Sequence, residues 1–140
     1  MTDPDGVFVY GTLKSGERNA ASITPVLRGP AVLLKGSLYH LPAPAGYPVL
    51  YLDGPGPVKG ELLRFSDARA ALGEMDRLEG CPGLFTRSAA EVACGKDTVS
   101  AWVYHFPPDR PVPPGAVPVE GGDWRSADFP DSPAVARHQQ

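Results

Sequence analysis

VFVYGTLKSGERN, running from Val7 to Asn19, sets four β-branched or aromatic residues directly before a loop that holds two glycines, Gly11 and Gly16. Val7 to Tyr10, bounded by Gly6 and Gly11, reads as a short buried strand. A strand that opens straight into a glycine loop raises a phosphate-binding loop as its first reading. The G-x-x-x-x-G spacing matches, but that motif continues with a lysine for the phosphates and a hydroxyl for magnesium. Glu17 and Arg18 stand there instead, so a carboxylate would face a polyanion. The loop can still offer a concave row of backbone N–H groups suited to one carboxylate. The plainer alternative is a strand-to-helix turn in which Gly11 takes a positive φ and Gly16 is incidental.

Outward from this loop the pattern is rich in strands. Residues 19–27 read as a short helix with Pro25 near its end, and residues 31–41 (AVLLKGSLYHL) as one strand bent or bulged at Gly36. Residues 42–48 (PAPAGYP) form a turn or ordered loop. Residues 49–52 and 58–65 read as a hairpin around the turn-forming DGPGP. Residues 87–94 and 98–106 form a second pair joined by Gly95, Lys96 and Asp97, and 116–119 a last edge segment. One stretch has helical spacing: Ser66 offers an N-cap, Asp67 puts negative charge in the first turn, and Ala68, Ala71, Leu72, Met75 and Leu78 recur on one face. Gly80 and Pro82 stop it. The expectation is an α+β domain of six or seven strands around one principal helix, its sheet curled into a small β-barrel.

Composition bounds the rest. A chain of 140 residues, 42% hydrophobic and 21% charged, is expected to form a single domain over 1–140, frayed at residues 1–5 and 132–140. A net charge of -3 argues against a general nucleic-acid binder and for a small-molecule partner. Two cysteines, Cys81 and Cys94, allow one bridge at most, and no basic-then-apolar leader precedes Val7. The cytoplasm is therefore the expected location. No apolar stretch approaches the roughly 20 residues that span a bilayer, so no membrane partner is expected, and a monomer is the default.

Glu79 breaks the pattern of its helix. At about 100° per residue it falls within the apolar stripe, with Leu72 and Met75, while Glu74 and Asp76 lie toward the edges and Arg77 faces away. An inward carboxylate at a helix C-terminus is desolvated and meets the negative end of the macrodipole, and both raise its pKa. That is how a glutamate becomes a general acid/base near neutral pH. The alternative is a frayed last turn in which Glu79 snorkels or pairs with Arg77 or Arg87. Cys81 with His40 or His105 lacks any nucleophile signature. These histidines and cysteines also lack the paired spacing of a metal site. Tyr39, Tyr47, Trp102 and Tyr104 read as core or pocket wall.

VFVYGTL and LGEMDRLEGCPGLFTR (Leu72 to Arg87), in this order and at this separation, resemble the γ-glutamylcyclotransferase-like superfamily. GYP, VKGELLRF, AWVYHF and GGDW follow in family order, so the likeness runs from Val7 to Trp124. The Cys81-Pro82 stretch followed by an aromatic-x-Arg is most similar to γ-glutamylamine cyclotransferases and their bacterial and plant relatives. The resemblance implies a small mixed barrel with a cavity at one end, acting without metal or cofactor. It implies cyclisation: the substrate's α-amine attacks its own γ-carbonyl, releasing 5-oxoproline and a free amine. It assigns Glu79 as general acid/base and Tyr10, Gly11, Thr12 and Leu13 as the loop that holds the glutamyl group, with Tyr47 and Tyr104 expected beside the substrate. The expected partner is a γ-glutamyl amine such as γ-glutamyl-lysine, or a γ-glutamyl-protected biosynthetic intermediate. Phe85 departs from a frequent family tyrosine, and residues 107–118 are unusually rich in proline. A non-catalytic binding module of the same fold is the alternative reading, and a Cys81 thiol hydrolase a third.

Overall fold

The computed structural model describes residues 4 and 6–129, so most of the two expected frayed ends lies outside the described residues. In chain order the strands and helix are β1 (Gly6–Val9), β2 (Leu27–Leu33), β3 (Ser37–Leu41), β4 (Tyr47–Tyr51), β5 (Val58–Arg64), α1 (Ala68–Leu78), β6 (Thr86–Cys94), β7 (Asp97–His105) and β8 (Val117–Pro118). Five strands close into a barrel in the order β1-β5-β2-β6-β7, and β4-β3-β8 form a second sheet. Closure leaves the barrel no free edge. Its ladders are antiparallel except where β1 runs parallel to β7 through Val7↔Trp102 and Phe8↔Val103.

All four residues of β1 are buried, as expected of a strand covered on both faces. Successive side chains point opposite ways: Val7 and Val9 join a core cluster with Leu63, Met75 and Phe85, while Phe8 and Tyr10 join another with Leu62, Val103 and Trp124. Helix α1 sits on the first cluster through fully buried Met75, with Leu72 partly buried beside it. The cap of α1 differs from the expected Ser66: Asp67 is the N-cap, and its Oδ1 accepts the Ala70 N–H at 3.1 Å. Both residue types cap well, and the carboxylate one position later is the one that reaches the orphan amide.

The structure departs from the sequence expectation in three places. The hairpin expected between 49–52 and 58–65 does not form: β4 pairs with β3 from Ser37↔Tyr51 to Leu41↔Tyr47, and β5 pairs with β1 and β2. The tight hairpin is instead the one around residues 42–46, closed by Gly46 N–H to the Leu41 carbonyl at 2.9 Å. The single strand expected over 31–41 is two strands in different sheets, and Gly36 marks the crossing rather than a bulge. The helix expected over 19–27 is one 3-10 turn, Ala20–Ser22, and Leu27 already opens β2; Ile23, Thr24 and Pro25 disfavour continuing it. The pairing of β6 with β7 runs as expected, and the strands among the described residues number eight against six or seven.

Cys81 and Cys94 are free thiols. No helix of the described residues is long and apolar enough to cross a membrane.

Candidate active site

Glu79 is the C-cap of α1, and the turn that holds it is closed, not frayed. The Cys81 N–H donates to the Asp76 carbonyl at 2.9 Å and the Gly80 N–H to the Arg77 carbonyl at 3.3 Å. These are the two bonds of a Schellman stop, which needs a left-handed residue just past the cap. Gly80 supplies it with φ 62°. Neither arginine offered by the sequence pairs with Glu79: Arg77 meets Glu74 at 3.1 Å, and Arg87 grips Asp76 through Nε at 3.0 Å and Nη2 at 3.3 Å. The Glu79 carboxyl makes no hydrogen bond or ion pair among the described residues. Burial raises its pKa from 4.5 to about 7, because a desolvated carboxylate without a partner favours its neutral form.

The glycine loop shows a one-sided peptide polarity. The Gly11 carbonyl accepts the Lys14 N–H at 3.0 Å, the Thr12 carbonyl the Asn19 N–H at 2.8 Å, and the Leu13 carbonyl Arg28 Nη1 at 3.0 Å. The N–H groups of the same three residues donate to no acceptor among the described residues. The Asn19 amide also donates to Thr12 Oγ1 at 3.0 Å, which ties the two ends of the loop together. The roles of the glycines are the reverse of those expected. Gly11 is held by a close approach, since a Cβ there would stand 2.6 Å from Pro48 Cγ, whereas Gly16 carries the positive φ of 82°.

Loop and carboxylate meet at one cavity of about 240 Å³. Tyr10, Gly11, Thr12, Leu13, Tyr47 and Tyr104 all line it with Glu79, as do Phe85 and two residues the sequence reading passed over, Arg18 and Asn19. Three of the tyrosine-type groups differ in what they have left to offer. The Tyr10 hydroxyl is spent on the Tyr104 carbonyl at 2.6 Å, and the Tyr104 hydroxyl on Asp76 Oδ1 at 2.6 Å. Burial, and then the Asp76 bond, push the Tyr104 phenol well up; burial and the charge of Glu79 do the same for Tyr10. The Tyr47 hydroxyl has no partner among the described residues. Burial, then the charge of Glu79, raise its pKa, and the charge of Arg18 offsets part of that rise.

Arg18 donates Nη1 to the Gly46 carbonyl at 3.1 Å, so its guanidinium is anchored by the loop that leads into β4. Its position after the second glycine was visible in the sequence only as a misfit to the phosphate motif. Asp76 was read as a solvent-edge residue, yet it joins Tyr104 to Arg87, whose guanidinium also stacks 4.6 Å over the Trp102 ring. Cys81, His40 and His105 do not line the cavity. Burial, then Asp76, raise the Cys81 thiol, the wrong direction for a nucleophile. His105 bonds Ser88 Oγ at 2.7 Å, and His40 accepts from Trp124 Nε1 at 3.0 Å. The proline-rich residues 107–118 contribute no lining residue; they reach the mouth through Arg110, which donates to the Leu84 carbonyl and, at 3.4 Å, to that of Gly83.

Residues 7–126 match the family model described as gamma-glutamyl cyclotransferase, AIG2-like, and the chain belongs to that family. Membership supports a cyclotransferase-type enzyme. Among solved structures, the chain is similar to an AIG2-like protein of Mus musculus, with 27% identity and a TM-score of 0.66 over 79% of this chain and 82% of that one. A protein of Arabidopsis thaliana solved in solution shares 25% identity with a TM-score of 0.63, over 91% of this chain and 74% of the other. YkqA of Bacillus subtilis shares the fold at 21% identity and a TM-score of 0.63; 87% of this chain is covered, and it spans 40% of that protein's length. No curated protein matches the chain.

Proposed function

We propose that the protein is a γ-glutamylamine cyclotransferase with Glu79 as its general acid/base. The observation that carries this reading is the meeting, in one cavity, of an unpartnered carboxyl with a pKa of about 7 and three loop amides with no acceptor. A carboxyl poised there exchanges protons at neutral pH, and the amides of Gly11, Thr12 and Leu13 suit the substrate's α-carboxylate, with Arg18 adding positive charge. Drug-sized ligands take pockets of about 300–1,000 Å³, so the smaller cavity suits a glutamyl head group.

Glu79 takes one proton from the substrate's α-ammonium, and the freed amine attacks the γ-carbonyl carbon, forming the ring C–N bond. The cavity contributes by holding the folded glutamyl chain with nitrogen and carbon about 3–3.5 Å apart. As the tetrahedral centre collapses, the bond to the departing nitrogen breaks and the Glu79 carboxylic acid returns the proton to that nitrogen. The ring nitrogen loses its surplus proton to solvent, leaving 5-oxoproline and the free amine. Tyr47, with its hydroxyl unengaged, is the donor proposed for the developing oxyanion. The rings of Tyr10 and Tyr104 wall the pocket, and their hydroxyls hold it together.

Incubation with a panel of γ-glutamyl amines and γ-glutamyl amino acids, followed by mass spectrometry of 5-oxoproline, tests the reading. Wild type and Cys81→Ala are expected to release 5-oxoproline, and Glu79→Gln to lose that release. Undiminished turnover by Glu79→Gln removes the mechanism. Binding without product across the panel identifies a non-catalytic module, and free glutamate as product identifies hydrolysis.

A further inference from the structure

Resting on the cyclotransferase reading, we propose that the leaving group is a neutral apolar amine, an alkyl or arylalkyl chain without a second charge. The charges of the cavity are consumed by the glutamyl head. Among the described residues that line it, Glu79 is the one anion and Arg18 the one cation. The head brings one ammonium, which Glu79 deprotonates, and one carboxylate, which the loop amides and Arg18 receive. A leaving group with its own ammonium would find no second carboxylate, since Asp76 is held by Arg87 and Tyr104 and Glu74 pairs with Arg77 outside the cavity; one with a carboxylate would find Arg110, the cation at the mouth, already donating to the Leu84 and Gly83 carbonyls and stacked on Phe106.

The lip beside Glu79 has the opposite character. Leu78 and Leu84 line the cavity yet remain 48% and 43% exposed, and neither belongs to a core cluster. Two large apolar side chains held at a cavity mouth offer surface that an apolar group would cover. Leu84 is not presented by a loose loop. Its N–H donates to the Gly80 carbonyl at 2.6 Å, and its carbonyl accepts from Arg110, whose guanidinium lies 4.7 Å over the Phe106 ring. Leu78 is the last residue of α1 and directly precedes Glu79. Phe85 continues the apolar wall where a tyrosine would add a hydroxyl, packed 5.1 Å from Phe106 and 6.3 Å from Tyr47 between ring centres.

Three γ-glutamyl amides, each with a six-carbon chain, decide it: the hexylamide, the 6-aminohexylamide and the 5-carboxypentylamide, compared by kcat/KM for 5-oxoproline release. The hexylamide is expected to lead both charged amides by about tenfold or more, the scale on which an apolar pocket discriminates. Leu84→Ala is expected to lower kcat/KM for the hexylamide alone, through KM. Leu84→Asp, a change at an exposed position, is expected to shift the ratio toward the aminohexylamide by about tenfold. Equal or better use of either charged amide by wild type overturns the proposal while leaving the cyclotransferase reading intact. If no amide yields 5-oxoproline, that reading fails, and calorimetric affinities of the same three compounds still judge the lip: tighter binding of the hexylamide supports it, and equal or reversed order overturns it.

Discussion

Tyr10 donates its hydroxyl to the main-chain carbonyl of Tyr104 across 2.6 Å, and Tyr104 in turn donates its own hydroxyl to Asp76 Oδ1 across 2.6 Å. The chain of contacts joins the residue after β1, strand β7 and the last turns of α1, so the glycine loop and the turn bearing Glu79 are braced against one another. Tyr10→Phe keeps the ring and removes the donor, leaving a buried carbonyl without its partner. The expected loss is about 1–3 kcal/mol of stability, read by urea denaturation. An unchanged midpoint would mean that the bond carries no part of the brace.

The helix stop is a second place where one atom matters. Gly80→Ala puts a Cβ on a residue with φ 62°, and that Cβ would sit 3.2 Å from Leu84 Cβ. A left-handed non-glycine residue costs about 1–2 kcal/mol, and relief of the strain would turn Glu79 out of place. Gly80→Ala is therefore expected to lower both the melting temperature and the kcat for 5-oxoproline. Gly73→Ala, in the same helix with nothing within 4 Å of the new Cβ, is expected to stabilise by about 0.5–1 kcal/mol. If both substitutions shift stability in the same direction, the Schellman stop is not what holds this turn.

The raised pKa of Glu79 has opposite consequences for activity and stability. With a base of pKa about 7, kcat/KM is expected to rise with pH through that value and then level. The folded state binds this proton more tightly than an unfolded chain, whose carboxyl titrates near 4.5. The stability it contributes is therefore full below about 4.5 and is lost as pH rises through 7, a swing of roughly 3 kcal/mol. Glu79→Gln, neutral throughout, is expected to flatten the stability profile over that window and to exceed wild type at pH 8. Parallel profiles for the two proteins would contradict the assigned burial of the carboxyl.

Tyr47→Phe separates the tyrosines. Because, of the three tyrosines that line the cavity, Tyr47 is the one whose hydroxyl has no protein partner among the described residues, its removal is expected to lower kcat by about 10²-fold, as loss of an oxyanion donor does, with little change in melting temperature. A stability loss with unchanged kcat would assign it to packing instead.

The parts legible in the sequence were those encoded by neighbours in the chain. The buried run of β1, the β6–β7 hairpin around Gly95, the period of α1 and its glycine stop all rest on local spacing, and Glu79 stood out because it broke a local period. Strand pairing was less legible: DGPGP announces a turn but does not say which strands it joins, so the false hairpin of β4 with β5 followed.

By itself, then, the sequence determined β1, the β6–β7 hairpin, helix α1, the family resemblance and the two motifs that meet at the cavity, since each is written within a few residues of itself. Tertiary structure alone decided which hydroxyls are spent and which is available, that Gly11 yields to Pro48 while Gly16 makes the turn, that Arg18 enters the cavity, and that Asp76 braces Tyr104. Each of these is a contact between residues far apart in the chain, and burial and hydrogen-bond partnership exist only once the barrel has brought them together.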